Sequence, residues 1–324
     1  MHDPTLPNIV VIGGGTGLPV LLRGLKKYSV NLTAIVTVAD DGGSSGRLRN
    51  DLDIPPPGDV RNVLAALSEV EPLVEQMFQH RFNTENELSG HSLGNLIIAA
   101  LTSISGDFVH AIQEMSRVLN VKGQVLPAAN QSVVLHAKMT DGSEVAGESV
   151  IPTVGKEIDT VYLTPSDVKP LPETIKSIRE ADLIVIGPGS LFTSILPNLL
   201  VPEIGKEVSK ASAQKVYICN IMTQAGETLD YTASDHVQAI YRHIHLPFID
   251  TILVNNEEVP ENLQLKYEKE LAKPVIFDIQ QLEKMGLEVV QEKIISYETG
   301  IIRHDTETVA KILYSFLERK NTIE

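Results

Sequence analysis

Short apolar runs alternate with longer amphipathic stretches along most of the chain, and most runs end at glycine or polar residues. Runs of this length are typical of buried strands, and the stretches between them carry apolar residues at helical spacing. The alternation predicts an α/β fold with a mostly parallel sheet. The predicted strands lie at residues 8–12, 32–38, 160–163, 182–186, 215–219, 251–254, 275–278 and 287–293.

Helices are predicted where apolar residues recur every three or four positions. The final helix, residues 306–319, shows the spacing most clearly, because Val309, Ile312, Leu313 and Phe316 all fall on one face. The other predicted helices lie at residues 18–28, 60–68, 72–81, 92–104, 107–119 and 233–244.

The middle of the chain changes character. Residues 131–155 alternate apolar and polar positions around Thr140-Asp141-Gly142-Ser143, a pattern typical of an antiparallel hairpin. No linker rich enough to separate two domains occurs anywhere in the sequence. We therefore predict a single domain over residues 1–324, with a small antiparallel hairpin inserted at about 131–155.

Charge and composition narrow the class of protein. The net charge of −15 is opposite to that of a nucleic-acid-binding surface and repels anionic membranes. No apolar run is long enough to span a membrane, the start lacks the pattern of a signal peptide, and one cysteine, Cys219, allows no internal disulfide. We expect a soluble, cytoplasmic protein that binds phosphates only locally, with backbone amides and a few arginines.

Two glycine-rich loops follow predicted strands. Glycine lets the chain turn sharply and lets a phosphate approach the backbone, and the helix start after it offers free amides. The first loop lacks the Lys of a Walker loop, and Leu18 replaces the last glycine of a dinucleotide fingerprint. Two such loops in one parallel sheet predict a ligand crevice between them. The candidate residues are Gly13, Gly14, Gly15, Thr16 and Gly17 in the first loop, and Gly187, Gly189 and Ser190 in the second.

Acidic residues follow the second predicted strand. Asp40 and Asp41 lie some 20 residues beyond the first glycine loop, where a carboxylate often binds a ribose hydroxyl. With Asp59 they could instead hold Mg²⁺, for which Asp41 and Asp59 are the candidate ligands. Asp59 is also the one candidate catalytic residue. A solvated turn is the alternative for the aspartate pair, and we place Asp59 as the cap of the helix that follows it.

Further candidates for phosphate or nucleotide binding lie in loops and at helix starts. The segment with Ser44, Ser45, Arg47 and Arg49 is predicted to be a mobile loop that orders on a ligand, with a plain surface loop as the alternative. The remaining candidates are His91 and Asn95 at a helix start, Asn220 and Asn255 at strand ends, and Arg303 before the final helix.

Five motifs together carry a family resemblance over nearly the whole chain. They are Gly13-Gly14-Gly15-Thr16-Gly17-Leu18, residues 38–49 (VADDGGSSGRLR), residues 56–62 (PPGDVRN), residues 90–95 (GHSLGN) and residues 187–194 (GPGSLFTS). In these motifs the chain resembles YvcK-type gluconeogenesis factors, which belong to the larger group containing CofD, the 2-phospho-L-lactate transferase of deazaflavin coenzyme synthesis.

The resemblance implies a fold and a function. The fold is a Rossmann-like, three-layer αβα core with added elements. The function is binding of a nucleotide sugar such as UDP-N-acetylglucosamine, with a role in cell shape and wall synthesis during gluconeogenic growth. The transferase branch implies a GDP-linked phospholactate donor, Mg²⁺ and a deazaflavin acceptor. This chain departs from that branch, because Pro57-Gly58-Asp59-Val60-Arg61 stands where the branch carries a Pro-Asp-x-Asp-Thr motif.

Three functions are therefore weighed. The first is a nucleotide-sugar binder with little or no catalysis, the second is a phosphotransferase of the 2-phospho-L-lactate transferase type, and the third is an NAD-binding enzyme. The chain has no Tyr-x-x-x-Lys pair for hydride transfer, which weighs against the third. Expected ligands are a UDP-sugar, GDP or an NAD-like dinucleotide, with Mg²⁺ as a candidate cofactor. Candidate protein partners are a second copy of the chain and a Ser/Thr kinase acting at Thr306.

Overall fold

A computed structural model describes residues 3–70, 72–83, 85–297 and 300–321, with the side chains of residues 320 and 321 left aside. Twelve strands form three sheets in this part of the chain. They are β1 (Asn8–Gly13), β2 (Asn31–Val36), β3 (Gln124–Pro127), β4 (Val134–Met139), β5 (Glu144–Ala146), β6 (Ile158–Thr164), β7 (Leu183–Ile186), β8 (Gln214–Ile218), β9 (Thr251–Asn255), β10 (Glu288–Glu292), β11 (Ile295–Ser296) and β12 (Arg303–His304).

Helices connect most of these strands. They are α1 (Gly17–Leu25), α2 (Gly43–Leu52), α3 (Gly58–Leu67), α4 (Pro72–Gln79), α5 (Leu93–Ser105), α6 (Phe108–Val118), α7 (Pro172–Arg179), α8 (Leu196–Leu199), α9 (Ile204–Lys210), α10 (Ala233–Ile244), α11 (Glu261–Glu268), α12 (Ile279–Lys284) and α13 (Thr306–Asn321). Among the described helices, none is long and apolar enough to cross a membrane.

The main sheet has seven strands in the order β10-β9-β8-β7-β1-β2-β3, and all neighbouring pairs are parallel. The chain leaves β1 towards β2 but leaves β7 towards β8, so the winding direction reverses between β1 and β7. Since parallel crossovers are right-handed, the helices after these two strands lie on opposite faces of the sheet. The predicted α/β fold is confirmed, and its switch point lies between β1 and β7.

Burial explains the apolar runs in the sequence. Ile9–Ile12 of β1 and Leu183–Ile186 of β7 are almost wholly buried, because helices cover both faces of the sheet. On one face α1 packs against α3 and α13, and elsewhere α7 packs against α9 and α10 against α8 and α12. The two glycine loops therefore extend from adjacent, buried strands inside the main sheet.

The antiparallel insertion is confirmed and is larger than a hairpin. The strands β4 and β5 form the predicted hairpin, and β6 pairs with the other edge of β4. The turn at residues 147–149, just after β5, contacts the segment between β2 and α2, because the Ser149 amide donates a hydrogen bond of 2.9 Å to Asp41. The insertion is thus attached beside the crevice.

Two predictions of secondary structure are wrong. Residues 275–278 form no strand: Val275 donates one hydrogen bond to the Ile221 carbonyl, and the neighbouring Pro274, which has no N–H, makes only an isolated bridge to Met222. The glycine- and serine-rich segment predicted as a mobile loop is the helix α2. This helix needs glycine at position 46, because a side chain there would collide with the Asp41 carbonyl.

Candidate functional site

The two glycine loops meet at the switch point. The loop after β1 and the loop after β7 line one cleft of about 460 Å³, together with residues after β8, from α11 and from the β11–β12 hairpin. Its lining includes Gly14, Gly15, Thr16, Gly17, Gly189, Ser190, Ser194, Asn220, Tyr267, Arg303, His304 and Thr306. The structure therefore brings most of the predicted loop residues, Asn220 and Arg303 into one site, and Gly13 and Gly187 directly precede the lining residues of the two loops.

Two glycines of the first loop are required by its geometry. Gly15 has φ of +63°, a conformation that side chains other than glycine rarely adopt. A side chain at Gly14 would come within 2.8 Å of both Asp59 and Thr37. The loop backbone is therefore exposed to the cleft and packed tightly from behind, as a loop that binds phosphate through its amides needs to be.

The start of α1 favours an anion. No side chain caps this helix, its N-cap residue is Thr16, and its first turn contains no acidic residue. Unsatisfied amides and the positive end of the helix dipole therefore face the cleft. In a chain with net charge −15, this gives a local site for phosphate without lysine.

The second loop is held by a segment that the sequence did not indicate. Glu227 is buried and accepts hydrogen bonds from the Phe192 amide at 3.0 Å and the Thr193 hydroxyl at 2.7 Å. Burial raises its pKa, and these hydrogen bonds partly offset the rise. Nearby, the Gln224 amide donates to the Ser190 hydroxyl at 2.9 Å. The loop is thereby fixed in shape on the side away from the first loop.

An aromatic and cationic wall closes the far side of the cleft. The Tyr267 hydroxyl on α11 accepts a hydrogen bond of 2.9 Å from the Ile302 amide, which holds the β11–β12 hairpin against α11. Arg303 is exposed and lines the cleft, in a short strand rather than the predicted loop. His304 donates to the Cys219 carbonyl at 3.0 Å, and burial lowers its pKa, so it is neutral at pH 7.

Asp59 lies directly behind the first loop. One carboxylate oxygen, Oδ2, accepts a hydrogen bond of 2.9 Å from the Gly15 amide. Its predicted role as a helix cap is wrong, because α3 begins one residue earlier, at Gly58, and Asp59 sits within its first turn with Pro57 as the N-cap residue. Burial raises its pKa to about 6, the Gly15 hydrogen bond opposes the rise and the charge of Asp40 adds to it.

Other carboxylates gather beside Asp59. Burial, followed by the charges of Asp40, Asp59 and Asp41, raises the pKa of Glu148 to about 8. Asp40 accepts from the Gly42 amide at 2.9 Å, and Asp41 faces the insertion through Ser149. Within the described part of the chain, no three His, Cys, Asp or Glu side chains are arranged to hold a metal ion. Asp41 and Asp59 stay predicted Mg²⁺ ligands, since one or two carboxylates together with the phosphates of a ligand commonly hold this ion.

A third group of candidates lies apart from the cleft. The Ser44 hydroxyl on α2 is 2.9 Å from His91 Nδ1 and accepts a hydrogen bond of 3.1 Å from Asn95 on α5. Burial, and next the charge of Arg47, lowers the pKa of His91. None of these side chains lines the cleft between the glycine loops. They join α2 to the start of α5.

The remaining candidates also separate from the cleft. Asn255 is occupied by its own turn: it donates to the Glu257 carbonyl at 2.8 Å and accepts from the Ile294 amide at 3.2 Å. Asn255 faces a neighbouring cavity of about 470 Å³, which shares Asn220 and Ile221 with the main cleft. Asn255 thus shapes the turn after β9, and its contact with a nucleotide stays a prediction.

Comparison with known proteins places this geometry in a family. The family described as 2-phospho-L-lactate transferase CofD matches residues 9–295. The chain belongs to the CofD family. Within the family, the gluconeogenesis factor of Bacillus subtilis (strain 168) is 67% identical over 312 residues, which cover 96% of this chain and 98% of the relative. The gluconeogenesis factor of Listeria innocua serovar 6a is 49% identical over 321 residues, or 99% of each chain.

A solved structure of a CofD-family relative supports the same assignment. The crystal structure of a Bacillus halodurans protein, 58% identical in sequence, superimposes with a TM-score of 0.94 and covers 96% of this chain and all of that one. The expected resemblance is confirmed: the chain is a CofD-family protein of the gluconeogenesis-factor type. The crevice and its glycine loops thus belong to this family's fold.

Sequence reasoning missed several residues that line the cleft or lie beside it. Tyr267 and Glu270 lie on or just after α11, a helix whose apolar positions are too few to predict it. Glu148 and Glu227 are isolated acidic residues in turns, with no motif around them. Their positions depend on how the insertion and the segment after β8 fold back onto the sheet, which local sequence does not specify.

Proposed function

We propose that this protein binds a nucleotide diphosphate sugar of the UDP-N-acetylglucosamine type in the cleft between the glycine loops. One observation carries the proposal: two glycine loops follow adjacent parallel strands and share a cleft with the uncapped start of α1, Tyr267 and Arg303. Ligands of parallel α/β proteins bind at such switch points, with phosphates at the helix start. The cleft volume of about 460 Å³ suits a ligand of this size.

The lining of the cleft suggests how such a ligand lies. The diphosphate would lie on Gly14–Gly17 and Gly189, where the loop amides other than that of Gly15, which is bound to Asp59, replace the cations that an acidic protein lacks. Arg303 would add a charge-assisted contact from the opposite wall. Tyr267, Met222 and Ala272 supply the apolar surface that a base needs, so the nucleoside would point towards α11.

We propose a regulatory role for the bound state, in cell shape and wall synthesis during gluconeogenic growth. The motif at residues 57–61 departs from that of the transferase branch, and its remaining aspartate, Asp59, is engaged by the Gly15 amide. The relatives are called gluconeogenesis factors, after a metabolic pathway and not after a single reaction. The fraction of the protein with bound ligand would then depend on the concentration of a precursor of wall synthesis.

A phosphotransferase of the 2-phospho-L-lactate type is the second candidate. The description of the family and the position of Asp59 beside the loop favour it. Mg²⁺ is commonly held by one or two carboxylates and the phosphates of its ligand. The second carboxylate oxygen of Asp59 could take part in such a site once a nucleotide is bound, and the ion would neutralise charge on the transferred group.

Calorimetric titration tests the proposal. UDP-N-acetylglucosamine, UDP, GDP, GTP and NAD would each be titrated with and without Mg²⁺ at matched ionic strength. We expect the UDP-sugar to bind more tightly than GDP or NAD, and phosphorus NMR of the mixture to show no turnover. Binding of GDP or GTP alone, or a new phosphorus signal, would favour the transferase, and preferential binding of NAD would contradict both candidates.

A further inference from the structure

The Ser194 side chain faces the cleft, and its hydroxyl has no hydrogen-bond partner among the described residues. The residue is only 5% exposed. The other hydroxyls of the same segment are engaged. Thr193 donates to Glu227 at 2.7 Å, and Ser190 accepts from the Gln224 amide at 2.9 Å. A hydroxyl taken out of bulk water without a partner is unfavourable, so its position at the cleft points to a ligand that completes the hydrogen bond.

Ser194 lies where the two glycine loops meet. A side chain at Gly15 in the first loop would come within 3.3 Å of Ser194 Oγ, and one at Gly189 in the second within 3.2 Å of Ser194 Cβ. Because both positions are glycine, the hydroxyl stays open to the cleft. Asp59 Oδ2 approaches the first loop at Gly14, and it accepts from the Gly15 amide rather than from Ser194.

The backbone on both sides of this hydroxyl is fixed by a buried amide. Asn198 on α8 is fully buried, and its Nδ2 donates to the Ser194 carbonyl at 2.8 Å and to the Gly13 carbonyl at 3.0 Å. One side chain thus ties the turn that carries Ser194 to the end of β1, from which the first loop starts. The Ser194 amide also donates to the Ser190 carbonyl at 3.0 Å. The hydroxyl is therefore held beside the first loop without a ligand, as a preorganised contact requires.

We propose that the Ser194 hydroxyl donates a hydrogen bond to a phosphate oxygen of the ligand at the junction of the two glycine loops. A phosphate oxygen accepts hydrogen bonds, and a serine hydroxyl can donate one without a charge of its own. The junction thereby has a donor although the Gly15 amide is occupied by Asp59. The contact deepens the proposed function, on which it rests for the base and the sugar of the ligand but not for its phosphates.

Calorimetric titration with UDP-N-acetylglucosamine and with inorganic pyrophosphate tests the contact, in EDTA at matched ionic strength. The full chain would be compared with Ser194→Ala and with the control Ser103→Ala, an exposed serine on α5, which does not line the cleft. We expect Ser194→Ala to bind both ligands about tenfold more weakly than the parent, as for the loss of a hydrogen bond to a charged group. The control should bind like the parent. An unchanged affinity of Ser194→Ala for either ligand would overturn the contact.

Thermal unfolding without ligand separates this contact from a structural role. Ser194→Ala removes a hydroxyl that no described residue binds, so it should melt no lower than the parent. A lower melting temperature would overturn the contact, because the hydroxyl would then stabilise the loop itself. If the parent binds pyrophosphate but not UDP-N-acetylglucosamine, and Ser194→Ala weakens pyrophosphate binding, only the proposed function is overturned. If the parent binds neither ligand, both are overturned.

Discussion

Asp59 and Gly15 are joined by a hydrogen bond of 2.9 Å from the Gly15 amide to Asp59 Oδ2, which ties the first glycine loop to the start of α3. The loop in turn forms one side of the cleft, so the Asp59 carboxylate gains or loses its proton beside the loop on which the proposed diphosphate lies. The pKa of Asp59, raised to about 6 by burial, places that change close to physiological pH.

Replacement of Asp59 by asparagine tests this link. The side-chain carbonyl oxygen of the new asparagine can still accept from Gly15, so the loop should keep its shape while the charge beside the diphosphate is lost. In EDTA at pH 7.5 we expect UDP-N-acetylglucosamine to bind several-fold more tightly, since removal of the repulsion is worth about 1 kcal/mol. Because the parent protonates near pH 6, the difference should shrink at pH 5. Equal affinities of the parent and of Asp59→Asn at both pH values would show that the charge of Asp59 does not affect ligand binding.

Glu148 is predicted to destabilise the native state at neutral pH. Its pKa is raised from about 4.5 to about 8, so the folded protein binds more protons than the unfolded chain between these values. The free energy of unfolding therefore falls as pH rises through this window. We expect Glu148→Gln to raise the free energy of unfolding by about 1–2 kcal/mol at pH 8 and to flatten the dependence of this free energy on pH. The exposed Glu157→Gln is the control, and equal curves for both variants would contradict the assignment.

Arg303 is expected to contribute directly to ligand affinity. It is exposed, unpaired with any carboxylate of the described residues, and faces the glycine loops across the cleft. Arg303→Ala should weaken UDP-N-acetylglucosamine binding by about 1.5–3 kcal/mol, the range for hydrogen bonds to charged groups. Calorimetry at matched salt would measure this, with Arg117→Ala as a surface control. Affinities of Arg303→Ala and the parent within a factor of two would show that Arg303 does not contact the ligand.

Gly24 allows α1 and α13 to pack closely. A side chain there would lie 2.7 Å from the Thr306 carbonyl and 3.0 Å from Ala310, although alanine is the better helix former. We expect Gly24→Ala to lower the free energy of unfolding by about 1–3 kcal/mol, because the helices must separate. Chemical denaturation would measure it. A stabilised variant would show that helix propensity outweighs the contact.

Thr306 connects this packing to the proposed kinase. It is the first residue of α13, it is partly buried, and its side chain lies at the cleft beside Arg303, with Asp305 as the capping residue. A phosphate there would compete with the diphosphate for Arg303. We therefore expect Thr306→Glu to weaken nucleotide-sugar binding about tenfold, while Thr306→Val, of similar shape, changes it little. Equal binding by both variants would show that phosphorylation acts elsewhere.

The sequence was sufficient to predict the parallel sheet and the two glycine loops that follow its strands, because buried strands ending in glycine have a local signal. It was misleading at α2, where glycine and serine suggest a loop but close packing at Gly46 favours a helix. It also did not show that Arg47, Ser44 and His91 lie around the start of α5, apart from the cleft between the glycine loops. Both features depend on tertiary packing, which neither motif specifies by itself.

The position of β7 has a consequence for how the protein is made. The strand enters the sheet between β1 and β8 only after residue 183 has been synthesised, so until then the first glycine loop has no partner loop. Closing a contact over such a sequence separation is slow. Nascent chains that end before β7 should therefore expose the edge of β1 and gain no stability from nucleotide. The ligand would stabilise the contact between the two glycine loops only after β7 has paired with β1.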